Sequence, residues 1–365
     1  MTAMLEVDRK DIRHARWREA ADGPLGEGMV RFRIDRFALT SNNVTYAAFG
    51  EAMGYWKFFP TGAQDTGCIP VWGFATAVEA RCVGIEVGER FYGFLPMADA
   101  VVLQPERVDS VGFLDGAPHR RELHGTYNQY LRCSTDAFYQ RERETLLPVL
   151  RPLFMTSFLI DDFLADENFF AARSVLISSA SSKTAFALGF LLSARGAAEH
   201  SVRSVGLTSA TNLAFAQRLG CYDEVMTYDQ AVALPPNGSA VYVDMSGDAA
   251  FRAMIHGQLG DRLAYSCSVG GTHWEALGGG RNLPGPRPVL FFAPAQVKKR
   301  IGEWGLSGLQ AKVLSAWQQF IERVTDPTQP WLVVRETQGR NAVLATYFDV
   351  LEGRVSPDEA HVLTV

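Results

Sequence analysis

The residues best suited by type and spacing to do chemistry lie in the turn Ser178–Ala185, which reads SSASSKTA. An apolar run, VLIS (Val175–Ser178), leads into it, and a helical pattern, KTAFALGFLLSARG, leads out. A helix that starts directly after a strand offers an anion its free backbone N–H groups and the positive end of its dipole. The hydroxyls of Ser181, Ser182 and Thr184 can donate to phosphate oxygens, and Lys183 adds a point charge. The plainer role for the same residues is a serine N-cap on a buried helix. A second run, SVGL (Ser204–Leu207), ends in GLTSATN (Gly206–Asn212). A dinucleotide fold commonly closes this strand with a carboxylate that binds the ribose diol of NAD. Here Thr208 and Ser209 stand in its place, with Asn212 one turn on. Hydroxyls accept a 2′-phosphate that an acid would repel, which favours NADP over NAD; the alternative is that Thr208 or Ser209 caps the next helix. A third run, AVYVDMSGD, places Asp244 near the end of a strand, beside Ser246 and Gly247.

Other chemistries fail on spacing. Ser-Lys-Thr after a strand, with a later apolar run ending in Asp, raises a P-loop. That loop needs glycine six before and one before the lysine, where Ile177 and Ser182 stand. The histidines, at 14, 119, 124, 200, 256, 273 and 361, form no HxxxH or HExxH pair. The five cysteines form no CxxC, so no dedicated metal site is expected. No GxSxG elbow for a hydrolase is present.

The elements that must position these residues follow from composition and periodicity. At 365 residues the chain is long enough for two or three domains. With 47% hydrophobic and 21% charged residues it can bury a core. A net charge of −5 leaves no electrostatic footprint for nucleic acid. No apolar run approaches a bilayer span, and the charged start MTAMLEVDRKDIRHARW has no apolar core of a secretory leader. An odd number of scattered cysteines suits reduced thiols, hence a cytoplasmic setting. Only six of the 35 cationic side chains are lysines, so Lys183 is an uncommon choice.

The head of the chain reads as β-rich. MVRFRIDRFALT (Met29–Thr40) alternates with a period of two, and later short apolar runs punctuated by Gly and Pro suit a small barrel. After Pro152, strand patterns alternate with helical ones, which implies a doubly wound parallel sheet. The tail gives a strand, PVLFFA (Pro288–Ala293), then a helical stretch to about Val324; WLVVRE and AVLATYFDVLEGR then read as two strands. The expected division is 1–151 for a β-rich substrate domain, 152–293 for a dinucleotide-binding domain, and 294–365 for a return to the first.

In this order the parts resemble the medium-chain dehydrogenase/reductase superfamily, in its zinc-independent quinone oxidoreductase and enoyl reductase branch. ALTSNNVTYAAFG (Ala38–Gly50) resembles the stretch that places an Asn and a Tyr at the substrate pocket. VGERFYG (Val87–Gly93) resembles "vGDrVfg", HGTYNQYLRC (His124–Cys133) resembles "GtyAEY", and LGCYDEVMTYD (Leu219–Asp229) resembles "lGAdhvinY". VDMSGD (Val243–Asp248) resembles "DsvGG", and SCSVGG (Ser266–Gly271) resembles the loop over the nicotinamide. The tail FFAPAQVKKRIGEWG is similar to that of a subfamily with degenerate motifs. One departure is clear: Lys183 and Thr184 stand where the glycine signature of the phosphate turn falls.

The resemblance implies an α/β fold, a Rossmann-type doubly wound parallel sheet inserted in a β-rich GroES-like barrel domain. It implies NADP as cofactor, held by Ser181, Ser182, Lys183, Thr184, Thr208, Ser209, Asn212, Ser246, Ser268 and Val269. It places Tyr46 and Asn42 or Asn43 at the substrate. Tyr46 would hydrogen-bond the substrate oxygen or deliver a proton, and the asparagines would orient substrate or nicotinamide, or serve only as turn formers. No zinc is implied, because Thr45 lies near the usual cysteine position and the cysteine lobe is absent. A homodimer acting on a small molecule, with no nucleic-acid or membrane partner, is implied too. The expected activity is NADPH-dependent hydride transfer to an activated carbonyl, quinone or α,β-unsaturated carbonyl. The alternative is a non-catalytic or repurposed member that binds a ligand or partner in the interdomain cleft. Tyr55, Trp56, Phe58 and Phe59, in the loop GYWKFFP, wall an apolar pocket or form a buried cluster.

Overall fold

A computed structural model describes residues 1–195, 202–232, 238–270 and 282–365. The chain forms two units: Met1–Val149 with Val333–Val365, and Leu150–Leu332 between them.

The first unit is built on a nine-stranded sheet and a three-stranded sheet of Thr2–Asp8, Ala15–Ala20 and Thr66–Gly67. The period-two segment forms the strand Val30–Leu39, with Val30, Phe32 and Ile34 buried on alternate positions and, after a register shift, Phe37, Ala38 and Leu39 buried in a row. It pairs antiparallel with Pro70–Ala80, Ala100–Leu103 and Glu359–Thr364. The chain's end therefore completes the sheet begun near its start.

The tail corrects the sequence reading in two places. AVLATYFDVL is a helix, Arg340–Leu351, not a strand. Its β-branched residues favour strand, but Val343, Thr346, Tyr347 and Val350 are buried at helical spacing, and that periodicity decides. Topology demands the same answer. The strands Val333–Gln338 and Glu359–Thr364 on either side are parallel, and parallel neighbours need a crossover. Second, the helical stretch Ala293–Val324 lies in the second unit, so the return begins at Val333 rather than at 294. The reason is its apolar face: Phe320 and Trp317 stack against Phe154 at 4.9 and 5.4 Å between ring centroids. The helix breaks at Gly305, whose φ of +73° suits glycine.

The second unit holds a six-stranded parallel sheet. In spatial order its strands are Glu224–Thr227, Arg203–Thr208, Ser174–Ile177, Ala240–Asp244, Leu263–Ser268 and Val289–Leu290. Residues of the central strands are buried on both faces, as a sheet covered by crossover helices requires. The chain runs outward from Ser174–Ile177 in one direction, then returns to build outward in the other. Strand order thus reverses between Ser174–Ile177 and Ala240–Asp244, and the crevice beyond the carboxyl ends there is where open α/β sheets bind ligands. Of PVLFFA only Val289–Leu290 is strand. Among the described residues no helix is long and apolar enough to cross a membrane.

Candidate functional site

At the strand-order reversal, Asp244 holds three strand ends together. It is completely buried. Its Oδ1 accepts from the Ser178 hydroxyl at 3.0 Å, the Ser246 hydroxyl at 2.9 Å and Gly247 N–H at 3.0 Å. Its Oδ2 accepts from Arg252 Nε at 2.7 Å. Its carbonyl accepts from Val269 and Gly270 N–H at 2.9 and 3.2 Å. Ser178 closes the network by accepting from Met245 and Ser246 N–H. Both carboxylate oxygens are thus spent within the protein. Ser246, expected at the cofactor, is buried with its hydroxyl on Asp244. Ser268 and Val269 are half-buried where the fifth strand ends. The chain then passes so close to the fourth strand that a Cβ on Gly270 would lie 2.1 Å from the Met245 carbonyl oxygen. Gly271, the last residue of that expected loop, lies outside the described residues, as do His200 and His273.

The turn after the first strand is held from outside. Ser179 adopts φ +51°, a left-handed conformation that costs a side-chain-bearing residue about 1–3 kcal/mol. Its N–H donates to the Tyr228 hydroxyl at 3.0 Å. Ala180 N–H donates to Leu207 O, and its carbonyl accepts from the Tyr222 hydroxyl at 2.9 Å. The Tyr222 ring fits only because Gly189 and Gly206 face it; a Cβ on Gly189 would sit 2.6 Å from it. The Ser181 hydroxyl accepts from Thr208 Oγ1 at 3.5 Å and Asn212 Nδ2 at 3.1 Å, so three of the expected cofactor residues meet. Ser182 is the N-cap of the helix Lys183–Ala194, its hydroxyl accepting from Ala185 N–H at 3.3 Å. Lys183 and Thr184 open that helix and are half-exposed. Thr208 is buried and turned to Ser181, whereas Ser209 is half-exposed and makes no cap bond.

In the first unit, the helix Ser41–Ala48 separates the two candidate asparagines. Asn43 is buried: its Oδ1 accepts from Thr40 N–H at 2.8 Å, closing a capping box, and its Nδ2 donates to Pro70 O at 2.9 Å. Asn42 is half-exposed and lies four residues before Tyr46, on the same helix face. Tyr46 is buried, and its hydroxyl accepts from Trp72 Nε1 at 3.2 Å. An indole N–H only donates, so the phenol's own proton stays available to an acceptor. Burial pushes the Tyr46 phenol far above its ordinary pKa, and the nearby Tyr127 adds to this. Tyr127 and Tyr55 share a hydroxyl–hydroxyl bond of 3.0 Å. The loop aromatics Tyr55, Trp56, Phe58 and Phe59 are all buried and form a cluster rather than an exposed wall.

Four of the five thiols are buried. Burial pushes Cys68, Cys221 and Cys267 up to about 12, which leaves them protonated and unreactive. Among the described residues, no group of three or more His, Cys, Asp and Glu side chains is placed to hold a metal ion.

Over residues 37–356 the sequence matches the family described as "Protein of unknown function (DUF2855)". The chain belongs to this family. No curated protein sequence matches it. Its fold is similar to several solved structures at low identity. CurA from Vibrio vulnificus in complex with NADPH matches with a TM-score of 0.64 at 12% identity, over 100% of this chain and 99% of that one. The CurK enoyl reductase matches at 0.54 and 12%, over 100% and 99%. The yhdH oxidoreductase from Salmonella enterica in complex with NADP matches at 0.54 and 12%, over the whole of both chains. This member of the DUF2855 family therefore shares its fold, a Rossmann-type unit with a GroES-like β-rich unit, with these oxidoreductase and enoyl reductase structures.

Sequence reasoning passed over Trp72, Arg252 and Tyr228. Only Arg252 had a readable signal: it lies on the first turn of the helix that follows Asp244, where a cation meets the preceding strand end.

Proposed function

We propose that the protein is a zinc-independent reductase that uses NADPH to reduce an activated carbonyl, quinone or α,β-unsaturated carbonyl. The observation that carries this reading is the meeting of Ser181, Thr208 and Asn212 beyond the carboxyl ends of Ser174–Ile177 and Arg203–Thr208, one strand from the strand-order reversal, with Lys183 opening the helix beside them. The complexes of similar fold with NADPH and NADP support it. The residues present fit the cofactor. Ser181, Ser182, Lys183 and Thr184 would hold the pyrophosphate with hydroxyls and one charge in place of close backbone approach. Ser209 and Asn212 would take the 2′-phosphate, and no Asp or Glu occurs from Ser204 to Tyr222 to repel it. Ser268 and Val269 would border the nicotinamide. When bound, the cofactor supplies the hydride.

Tyr46 would donate a hydrogen bond to the acceptor's oxygen as negative charge develops there. Its burial disfavours a tyrosinate, so it serves as a hydrogen-bond donor rather than as the proton source. Asn42 would flank the same oxygen, while Asn43 is committed to the helix cap. The test is NADPH consumption against a panel of quinones, enones and activated aldehydes. Turnover with one class supports the reading. The absence of turnover, with NADPH still bound, would favour a non-catalytic member, a reading suggested by the serine at strained position 179 and by Lys183 and Thr184 in the glycine signature.

Lys183→Ala should weaken NADPH binding by about 1–3 kcal/mol, the range for charge-assisted hydrogen bonds. Calorimetric titration of both proteins checks this; equal affinities would remove Lys183 from the site.

A homodimer in the cytoplasm completes the reading. Among the described residues, Val289 and Leu290 form the outermost strand of the parallel sheet and are 47% and 56% exposed, an apolar edge that a second copy would cover. Light scattering should give twice the chain's 40.2 kDa. Leu290→Arg should raise the dissociation constant by about tenfold or more. A wild-type monomer at micromolar concentration would contradict this.

A further inference from the structure

We propose that Tyr228 is a positioning residue for the turn Ser178–Ser182: its hydroxyl latches Ser179 in the left-handed conformation that aims Ser181, Ser182 and Lys183 at the pyrophosphate of the cofactor. This role rests on the dinucleotide reading given above; the latch itself rests on the geometry of the turn.

Tyr228 opens the helix Tyr228–Ala231, directly after the strand Glu224–Thr227, which lies two places from Ser174–Ile177 in the sheet. Thr227 and Gln230 close a capping box at its start. The Tyr228 ring packs on Phe251, 4.4 Å away between centroids, so the phenol is held from its own side of the sheet. Its hydroxyl accepts from Ser179 N–H at 3.0 Å and lies 3.5 Å from Ser179 Oγ, where either oxygen can donate. Burial raises the phenol's pKa, so the hydroxyl stays neutral across the physiological range. At φ +51° a glycine would be at ease and a serine is strained. The two contacts to Tyr228 offset that strain, and the one through Oγ is a contact that glycine lacks. The conformation of Ser179 passes directly to the site. Ser182 N–H donates to Ser179 O at 2.7 Å, and Ser182 is the N-cap of the helix that Lys183 opens.

The test compares full-length wild type, Tyr228→Phe and the double variant Tyr228→Phe/Ser179→Gly, by titration with NADPH and with NADH and by crystal structures of the apo proteins. Tyr228→Phe should weaken both dinucleotides by the same factor, about three- to tenfold, because the turn serves the pyrophosphate they share. Adding Ser179→Gly should restore both to within about twofold of wild type, since glycine takes a left-handed φ without the latch. In the crystals, φ at position 179 should turn negative in Tyr228→Phe and positive again in the double variant. A loss confined to NADPH would overturn the proposal, by making Tyr228 a contact of the 2′-phosphate. A loss that Ser179→Gly does not restore would overturn it too. So would a Tyr228→Phe variant with wild-type affinities, or one in which Ser179 keeps its positive φ. Wild-type protein that binds neither dinucleotide would refute the cofactor reading instead, and φ at position 179 would then decide the latch alone.

Discussion

Tyr46→Phe should lower kcat by about a hundredfold or more on whichever acceptor class the protein reduces, with NADPH affinity unchanged. The size is that of a lost oxyanion donor, roughly 3 kcal/mol of transition-state stabilisation. The direction follows from one contact. Trp72 Nε1 donates to the Tyr46 oxygen at 3.2 Å, which leaves the phenol proton for the substrate oxygen in the function we propose. Trp72→Phe should therefore give a smaller loss of the same kind, felt in kcat more than in KM, because it frees the phenol to turn. Burial holds the Tyr46 pKa far above the neutral range, so its donation should not titrate between pH 6 and 9. A Tyr46→Phe variant with wild-type kcat would exclude Tyr46 from the chemistry.

The second large effect is on stability. Asp244→Asn should destabilise the protein by about 3–5 kcal/mol, the cost of removing one partner from a buried ion pair. The Arg252 guanidinium would then face an amide in place of the carboxylate it meets at 2.7 Å. Urea unfolding of both proteins measures this. The backbone carbonyl of residue 244 still holds Val269 and Gly270 N–H, so the loss falls on the Arg252 pair and on the Ser178, Ser246 and Gly247 donors. A loss below about 1 kcal/mol would mean that Asp244 does not carry the crevice.

Much of this arrangement was legible in the chain, and the exceptions have physical causes. The doubly wound sheet was readable because buried parallel strands are short apolar runs and their crossover helices have a different period. The helix Arg340–Leu351 was not, since Val343, Thr346 and Val350 are β-branched and the parallel pairing that demands a crossover is a tertiary fact. The choice between Asn42 and Asn43 turned on a capping box, and the spacing of Thr40 and Asn43 was its only trace in sequence. Ser246 reads as a cofactor ligand because hydroxyls at strand ends often are. In the fold Ser178 and Ser246 spend their hydroxyls on Asp244, and Asp244 spends both oxygens inside the protein. Nothing in the sequence marks Ser179 as left-handed, because serine is seldom used there; its neighbours Tyr228, Leu207 and Tyr222 impose it through bonds across other strands. The loop aromatics could not be divided between pocket and core by type alone. Gly50 and Gly67 decide for Trp56, whose ring occupies the space their side chains would take.

In the function we propose, the crevice beyond Ser181, Lys183 and Ser209 holds a phosphorylated dinucleotide. Fluorescence titration of the purified protein with NADPH and with NADH, at one ionic strength, tests it most directly. Saturable NADPH binding is expected, tighter than NADH by about tenfold or more, since only NADPH carries the 2′-phosphate that the hydroxyl of Ser209 and the amide of Asn212 would receive. Equal affinities, tighter NADH, or no binding of either would contradict it.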